Sequence, residues 1–157
     1  TTGILKLFPK YMETMEALLP QLADHQEVAP VTPAQGTKRA RVGLMLGCVQ
    51  REFLPEINAA TVRVLTAEGC EVVAPKDQGC CGALLVHAGE EAPALRMTRK
   101  MIDVFEAAGV DVIITNAGGC GSNVRDYGHL LRDDPQYAER ARQFSAKCRD
   151  KIGRAHV

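Results

Sequence analysis

The chain has 157 residues and balances 19 Lys and Arg against 19 Asp and Glu, a size that fits one domain, or one with a short extension. At 46% hydrophobic and 24% charged it has an ordinary globular composition, which excludes a disordered polyelectrolyte, and the charge balance argues against nucleic acid as a partner. Aromatics make up 4% with no Trp, too few for a base-stacking or sugar-stacking platform, and no apolar run reaches the ~20 residues of a membrane span.

The chain opens Thr1-Thr2-Gly3 without a Met or a basic-then-apolar leader, which reads as a piece of a longer cytoplasmic polypeptide. Residues 1–23 form an expected N-terminal helical segment. Ile4, Leu5, Leu7, Phe8, Met12, Met15, Leu18, Leu19 and Leu22 supply its apolar spacing, and Pro9 and Pro20 punctuate it. Residues 24–40 are rich in Pro and poor in large apolar groups, and read as a linker. From Arg41 an α/β pattern begins. Val42–Leu46 is a buried-strand candidate ending at Gly47, and 55–68 is an expected helix whose shared apolar face is Ile57, Ala60, Val64 and Leu65. A second strand is expected over 70–75. A long helix over 90–108 should turn Leu95, Met101, Ile102 and Phe105 inward and end at Gly109. A third strand follows over 110–115, then a helix from about Ser122 to Leu131, with another starting at Pro135. This order predicts a Rossmann-like βαβαβ fold, a parallel sheet of three or more strands flanked by helices, spanning residues 41–150. Residues 151–157 include Ile152-Gly153-Arg154-Ala155-His156-Val157, which resembles the translation of a sequencing adapter; they are set aside as a scar, and His156 with them.

Six cysteines are many for such a chain, and without a secretory leader they point to metal or redox chemistry rather than to a disulfide framework. In a parallel sheet the loops leaving the strands' C-terminal ends gather on one edge. Cys48 follows the first strand, Cys80-Cys81 lies in the loop after the second, and Cys120 lies in the loop after the third. Each is about one strand–helix–strand unit of ~30 residues from the next, so four thiols should converge at one end of the sheet. Four thiolates are the usual ligand set of an iron–sulfur cluster, and adjacent cysteines suit a polynuclear centre better than one tetrahedral zinc. Glycines at 47, 79, 82, 118, 119 and 121 would let the backbone come close. The doublet also fits a redox dithiol or plain buried residues. Cys70 reads as core and Cys148 as an incidental thiol on a polar helical tail. His87 and His129 read as ordinary loop or helix-end side chains. Arg51, Lys76 and Arg125 lie near the cysteine loops, where offsetting cluster charge and plain solvation are equally open.

The set Gly47-Cys48, Gly79-Cys80-Cys81-Gly82-Ala83 and Asn116-Ala117-Gly118-Gly119-Cys120-Gly121 resembles the CCG cysteine-rich domain. That domain is found in the heterodisulfide reductase B subunit, lactate-utilisation proteins and the glycolate oxidase iron–sulfur subunit. Residues 82–89 and 124–131 resemble the last most strongly. The resemblance implies an electron-transfer fragment of a glycolate oxidase-type complex. A flavin subunit would oxidise glycolate to glyoxylate, and iron–sulfur centres would pass the electrons to a membrane quinone, with the fragment cytoplasmic or at the inner membrane face. Neither a ferredoxin-like cysteine run nor a second CCG copy is present in the chain. The family's fullest pattern ends in Cys-x-x-Cys, whereas here Asn123 follows Cys120 at that spacing. Cys48, Cys80, Cys81 and Cys120 remain as the implied ligands of a [4Fe–4S] cluster, with Asn123 expected to cap a helix. Two other readings stay open: a heterodisulfide-reductase-type thiol/disulfide domain, and an interaction module without metal.

Overall fold

The computed structural model describes residues 26–150 together with Thr14, Met15, Ala17 and Leu18. The expected N-terminal helix lies mostly outside the described residues, and the adapter-like tail wholly so. Ordered elements run β1 (Val31–Thr32), β2 (Ala40–Met45), α1 (Cys48–Phe53), α2 (Pro55–Ala67), β3 (Cys70–Val73), α3 (Ala83–His87), α4 (Glu91–Ala107), β4 (Val112–Thr115), α5 (Gly118–Arg125), α6 (Tyr127–Leu130), α7 (Ala138–Lys147) and β5 (Cys148–Asp150).

The five strands form one sheet in the order β1-β3-β2-β4-β5. β2 pairs in parallel with β3 on one side and β4 on the other, and β4 pairs in parallel with β5. The α/β parallel sheet expected from the sequence is therefore present, with two additions. The segment read as a linker contributes β1, an antiparallel edge strand in which Val31 faces Val73. Cys148, read as part of a helical tail, instead opens β5 opposite Ile113. Its side chain is 4% exposed, with the thiol 3.3 Å from the Phe144 carbonyl.

Alternation along the strands sends side chains to two cores. Val42, Leu44, Val72 and Ile114 pack on one face with Val62 and Leu65 of α2. Met45, Val73, Ile113 and Cys148 pack on the other with Met101, Ile102, Phe105, Tyr127 and Phe144. In α4 the buried residues Ala94, Thr98, Met101, Ile102 and Phe105 recur at helical spacing, as the sequence predicts for the last three, while Leu95 is only partly buried. Each large apolar side chain buried there contributes about 1.5–3 kcal/mol. Gly43 sets how close α4 comes to the sheet: a Cβ at that position would sit 2.8 Å from the Phe105 ring.

Of the apolar face expected for α2, Ile57, Ala60 and Leu65 are half-buried, while polar residues of the helix lie deeper. Val64 is 52% exposed, and the fully buried positions include Asn58, Thr61 and Thr66. Asn58 and Thr61 are buried because they belong to a hydrogen-bonded amide network at the sheet edge, and the Thr66 hydroxyl donates back to the Arg63 carbonyl.

Candidate functional site at the C-terminal edge of the sheet

Strand order reverses at β2, whose neighbours β3 and β4 are reached by connections on opposite sides; such a reversal opens a crevice outside the strands' C-terminal ends. The three cysteine loops leave the sheet there. Gly47, with φ +70°, turns the chain out of β2 and makes Cys48 the first residue of α1, a short helix without an apolar period to mark it in the sequence. Gly82, with φ +84°, turns the Cys80-Cys81 loop into α3. α5 begins at Gly118, earlier than its sequence pattern suggests, so Cys120 lies in the first turn of a helix rather than ahead of one.

All four expected thiols come together. The sulfurs of Cys48 and Cys80 are 3.3 Å apart. Cys81 bonds to Cys120 and also touches Cys80, so each member of the doublet meets a cysteine from a different loop and the four sulfurs form one connected set. Backbone N–H groups face the sulfurs: Gly82 N–H lies 3.4 Å from Cys80 Sγ, Val49 N–H faces Cys48, and Ala83 N–H faces Cys81. The pairwise contacts leave their mark on acidity. Donation to Cys120, reinforced by burial, pushes the Cys81 thiol far up, and accepting that bond lowers Cys120. Burial, with the contact to Cys80, raises Cys48. Among the described residues, no three His, Cys, Asp or Glu side chains surround a single-ion site.

Uncharged side chains hold the loops. Gln78, 1% exposed, accepts from Leu46 N–H at 2.8 Å and donates to the carbonyls of Pro75 at 3.0 Å and Leu44 at 3.3 Å, pinning the loop after β3 to the end of β2. Asn58 donates to the Leu46 carbonyl at 3.0 Å, Gln50 donates to Asn58 at 2.9 Å and to Asn116, and Asn116 donates to Thr61 at 3.0 Å. Apolar patterning marks none of these residues, because a buried amide carries no periodic signal; Asn116 is visible only as part of the cysteine motif that opens just after β4. Asn123 does not cap a helix. It lies within α5, buried, and donates to the Cys81 carbonyl.

The remaining candidates lie apart from the thiol contacts. Cys70 is half-buried beside the smaller core. His87 is exposed at the end of α3, and the His129 ring stands 3.0 Å from the Arg132 guanidinium. Arg51 and Lys76 pair with Glu52 at 3.1 Å and Glu27 at 3.3 Å, and both line a groove of about 350 Å³ between the ends of β2 and β3. Arg125 is exposed at the end of α5 and acts on Cys148 electrostatically.

Comparison with known proteins agrees with this arrangement. Residues 42–125, which carry all four convergent thiols, match the CCG cysteine-rich domain. The chain is 39% identical over 152 residues to the probable glycolate oxidase iron–sulfur subunit of Bacillus subtilis, covering 95% of this chain and 34% of the relative. It is 36% identical over 151 residues to the glycolate oxidase iron–sulfur subunit of Escherichia coli, covering 94% and 36%. It is also 36% identical over 106 residues to lactate utilization protein A of Exiguobacterium, covering 68% and 43%. The chain thus spans about a third of the length of the first two relatives. No solved structure gives a significant match. With the cysteine loops, the sheet edge and the matched span all in agreement, the chain belongs to the CCG cysteine-rich domain family.

Proposed function

We propose that this domain is an iron–sulfur electron-transfer module, with Cys48, Cys80, Cys81 and Cys120 as ligands of one cluster of the [4Fe–4S] type. The observation that carries the reading is the meeting of four thiols from three loops at one rim of the sheet. The donor set fits such a group. It is all sulfur, backbone N–H groups face three of the sulfurs, and open space surrounds Gly79, Gly118 and Gly119, where a Cβ would meet no atom within 4 Å. A bound cluster supplies one-electron transfer at a potential set by burial and by hydrogen bonds to sulfur. The chain's own residues would fix the thiols through the Gln78 and Asn58 network and screen the buried Cys81 side from water. Binding requires thiolates, so loading releases protons and strengthens as pH rises.

At the level of the whole protein, the likeness to glycolate oxidase iron–sulfur subunits supports a subunit of a glycolate oxidase-type complex. In that reading a flavin-containing subunit oxidises glycolate to glyoxylate and the electrons leave through this subunit to a membrane quinone. No helix among the described residues is long and apolar enough to cross a membrane.

Anaerobic reconstitution with iron and sulfide tests the proposal. The expected product is brown, with broad absorbance near ~400 nm and stoichiometric iron and acid-labile sulfide. A colourless protein without either would overturn it. In the full-length subunit assembled with its flavin partner, glycolate should bleach that absorbance. The 3.3 Å approach of Cys48 and Cys80 favours one second reading, thiol–disulfide exchange. There the two thiols would give up two electrons and two protons to a small disulfide, releasing two small thiols and leaving a Cys48–Cys80 disulfide. Reduction of one equivalent of such a disulfide per metal-free, pre-reduced protein, lost in Cys80→Ser, would select it.

A further inference from the structure

The carbonyl of Cys81 receives two buried hydrogen bonds, from the Asn123 amide at 2.8 Å and the Tyr127 hydroxyl at 2.7 Å. Cys81 is 4% exposed, Asn123 7% and Tyr127 0%. Two donors fill both acceptor positions of one carbonyl, an arrangement with little slack. The carbonyl belongs to the peptide just before Gly82, where the chain turns through φ +84° beside the doublet, whose Cys80 thiol meets Cys48 and whose Cys81 thiol meets Cys120 as well as Cys80. Asn123 also stands three residues after Cys120 on α5, so the helix that brings one thiol to the rim also grips the loop that brings two others. The Tyr127 hydroxyl also bonds with Thr98, so Tyr127→Phe removes both of its contacts while Asn123→Ala removes only the Asn123 bond to the Cys81 carbonyl. The Tyr127 ring stacks on Phe144 at 5.5 Å, packing that Phe would reproduce.

We propose that Asn123 and Tyr127 are positioning residues that hold the Cys81 peptide and thereby set which outside cysteine each thiol of the doublet meets, Cys48 for Cys80 and Cys120 for Cys81. Asn123 then serves the site by holding a ligand loop rather than by ligation. The idea takes its functional meaning from the cluster reading, but its geometry does not depend on a cluster. The test therefore uses metal-free, reduced protein. Timed alkylation with iodoacetamide, read by peptide mass spectrometry, compares Cys81 with Cys148, which is equally buried at 4% but lies on β5. Local opening governs such reactivity. In Tyr127→Phe and in Asn123→Ala, Cys81 should react roughly tenfold faster while Cys148 keeps its wild-type rate. Asn123→Asp, isosteric but unable to donate when ionised, should behave like Asn123→Ala. Unchanged Cys81 rates in all variants would overturn the proposal. Equal acceleration of both cysteines would also overturn it, since that marks general loosening. No iron uptake by the wild-type protein, together with selective acceleration of Cys81 in the variants, would refute the cluster and leave the positioning role standing.

Discussion

The two edges of the sheet are built from different chemistry. At the edge where strands begin, charges do the holding. Glu71 meets Lys38 at 2.8 Å and also Arg41, while the backbone N–H of Arg41 donates to Asp111 at 2.9 Å and its guanidinium to the Ala108 carbonyl at 3.2 Å. At the edge where strands end, the thiols sit among glycines and uncharged amides, and the flanking cations Arg51 and Lys76 pair with carboxylates of their own. Exposed ion pairs hold weakly and tolerate water, whereas a buried amide network holds firmly only when every member is satisfied. Among the described residues no buried side-chain nitrogen or oxygen lacks a partner. The thiol edge is thus fixed without a fixed charge in its network, which leaves the local field to whatever the thiols bind.

The contrast can be broken most sharply at Gln78. Gln78→Ala strands the Leu46 N–H and removes a donor from two carbonyls, so urea unfolding should show a loss of about 2–3 kcal/mol. A loss within ~0.5 kcal/mol would mean that the amides do not hold the rim. An intermediate effect concerns Cys148, whose thiol burial pushes up to about 12 from an ordinary 9.0. Below pH 9 both folded and unfolded chains keep this proton. Between 9 and 12 the unfolded chain releases it and the folded chain does not, so stability falls as pH rises, by up to about 1.4 kcal/mol per pH unit. Denaturation at pH 8, 9 and 10 should show that slope, and Cys148→Ala should remove its share. The smallest effect belongs to the charged edge. The Lys38 hydrogen bond, followed by Arg41, holds Glu71 below the ordinary carboxylate range, so its contribution is present above pH ~4.5 and fades on acidification. Glu71→Gln should cost little at neutral pH, less in high salt, and leave iron uptake unchanged; a loss matching that of Gln78→Ala would erase the distinction.

What could be read from the sequence follows the same division. Apolar runs at 42–46, 70–75 and 110–115 mark β2, β3 and β4 because parallel strands are buried on both faces, and counting strand–helix units brings the four thiols to one edge. The helical starts at Cys48 and Gly118 escape notice because glycine-rich turns carry no period. The polar members of the buried face of α2 escape notice for a related reason. Asn58 and Thr61 look like solvent-facing polar residues, and only the loops above them supply partners that make burial favourable. Cys148 is hidden by its polar neighbours, since β5 exists only through pairing with β4. Val31 and Thr32 lie in a stretch whose prolines signal linker, yet proline is compatible with an edge strand.

The account stands or falls on four thiols sharing one inorganic centre. Iron retention after anaerobic reconstitution and gel filtration, measured for serine variants at each of the six cysteines, addresses this directly. The predicted result is that substitution at 48, 80, 81 or 120 abolishes or severely lowers bound iron, while substitution at 70 or 148 leaves it at the wild-type level. Full iron retention in Cys48→Ser or Cys120→Ser, or its loss in Cys70→Ser, would contradict the account.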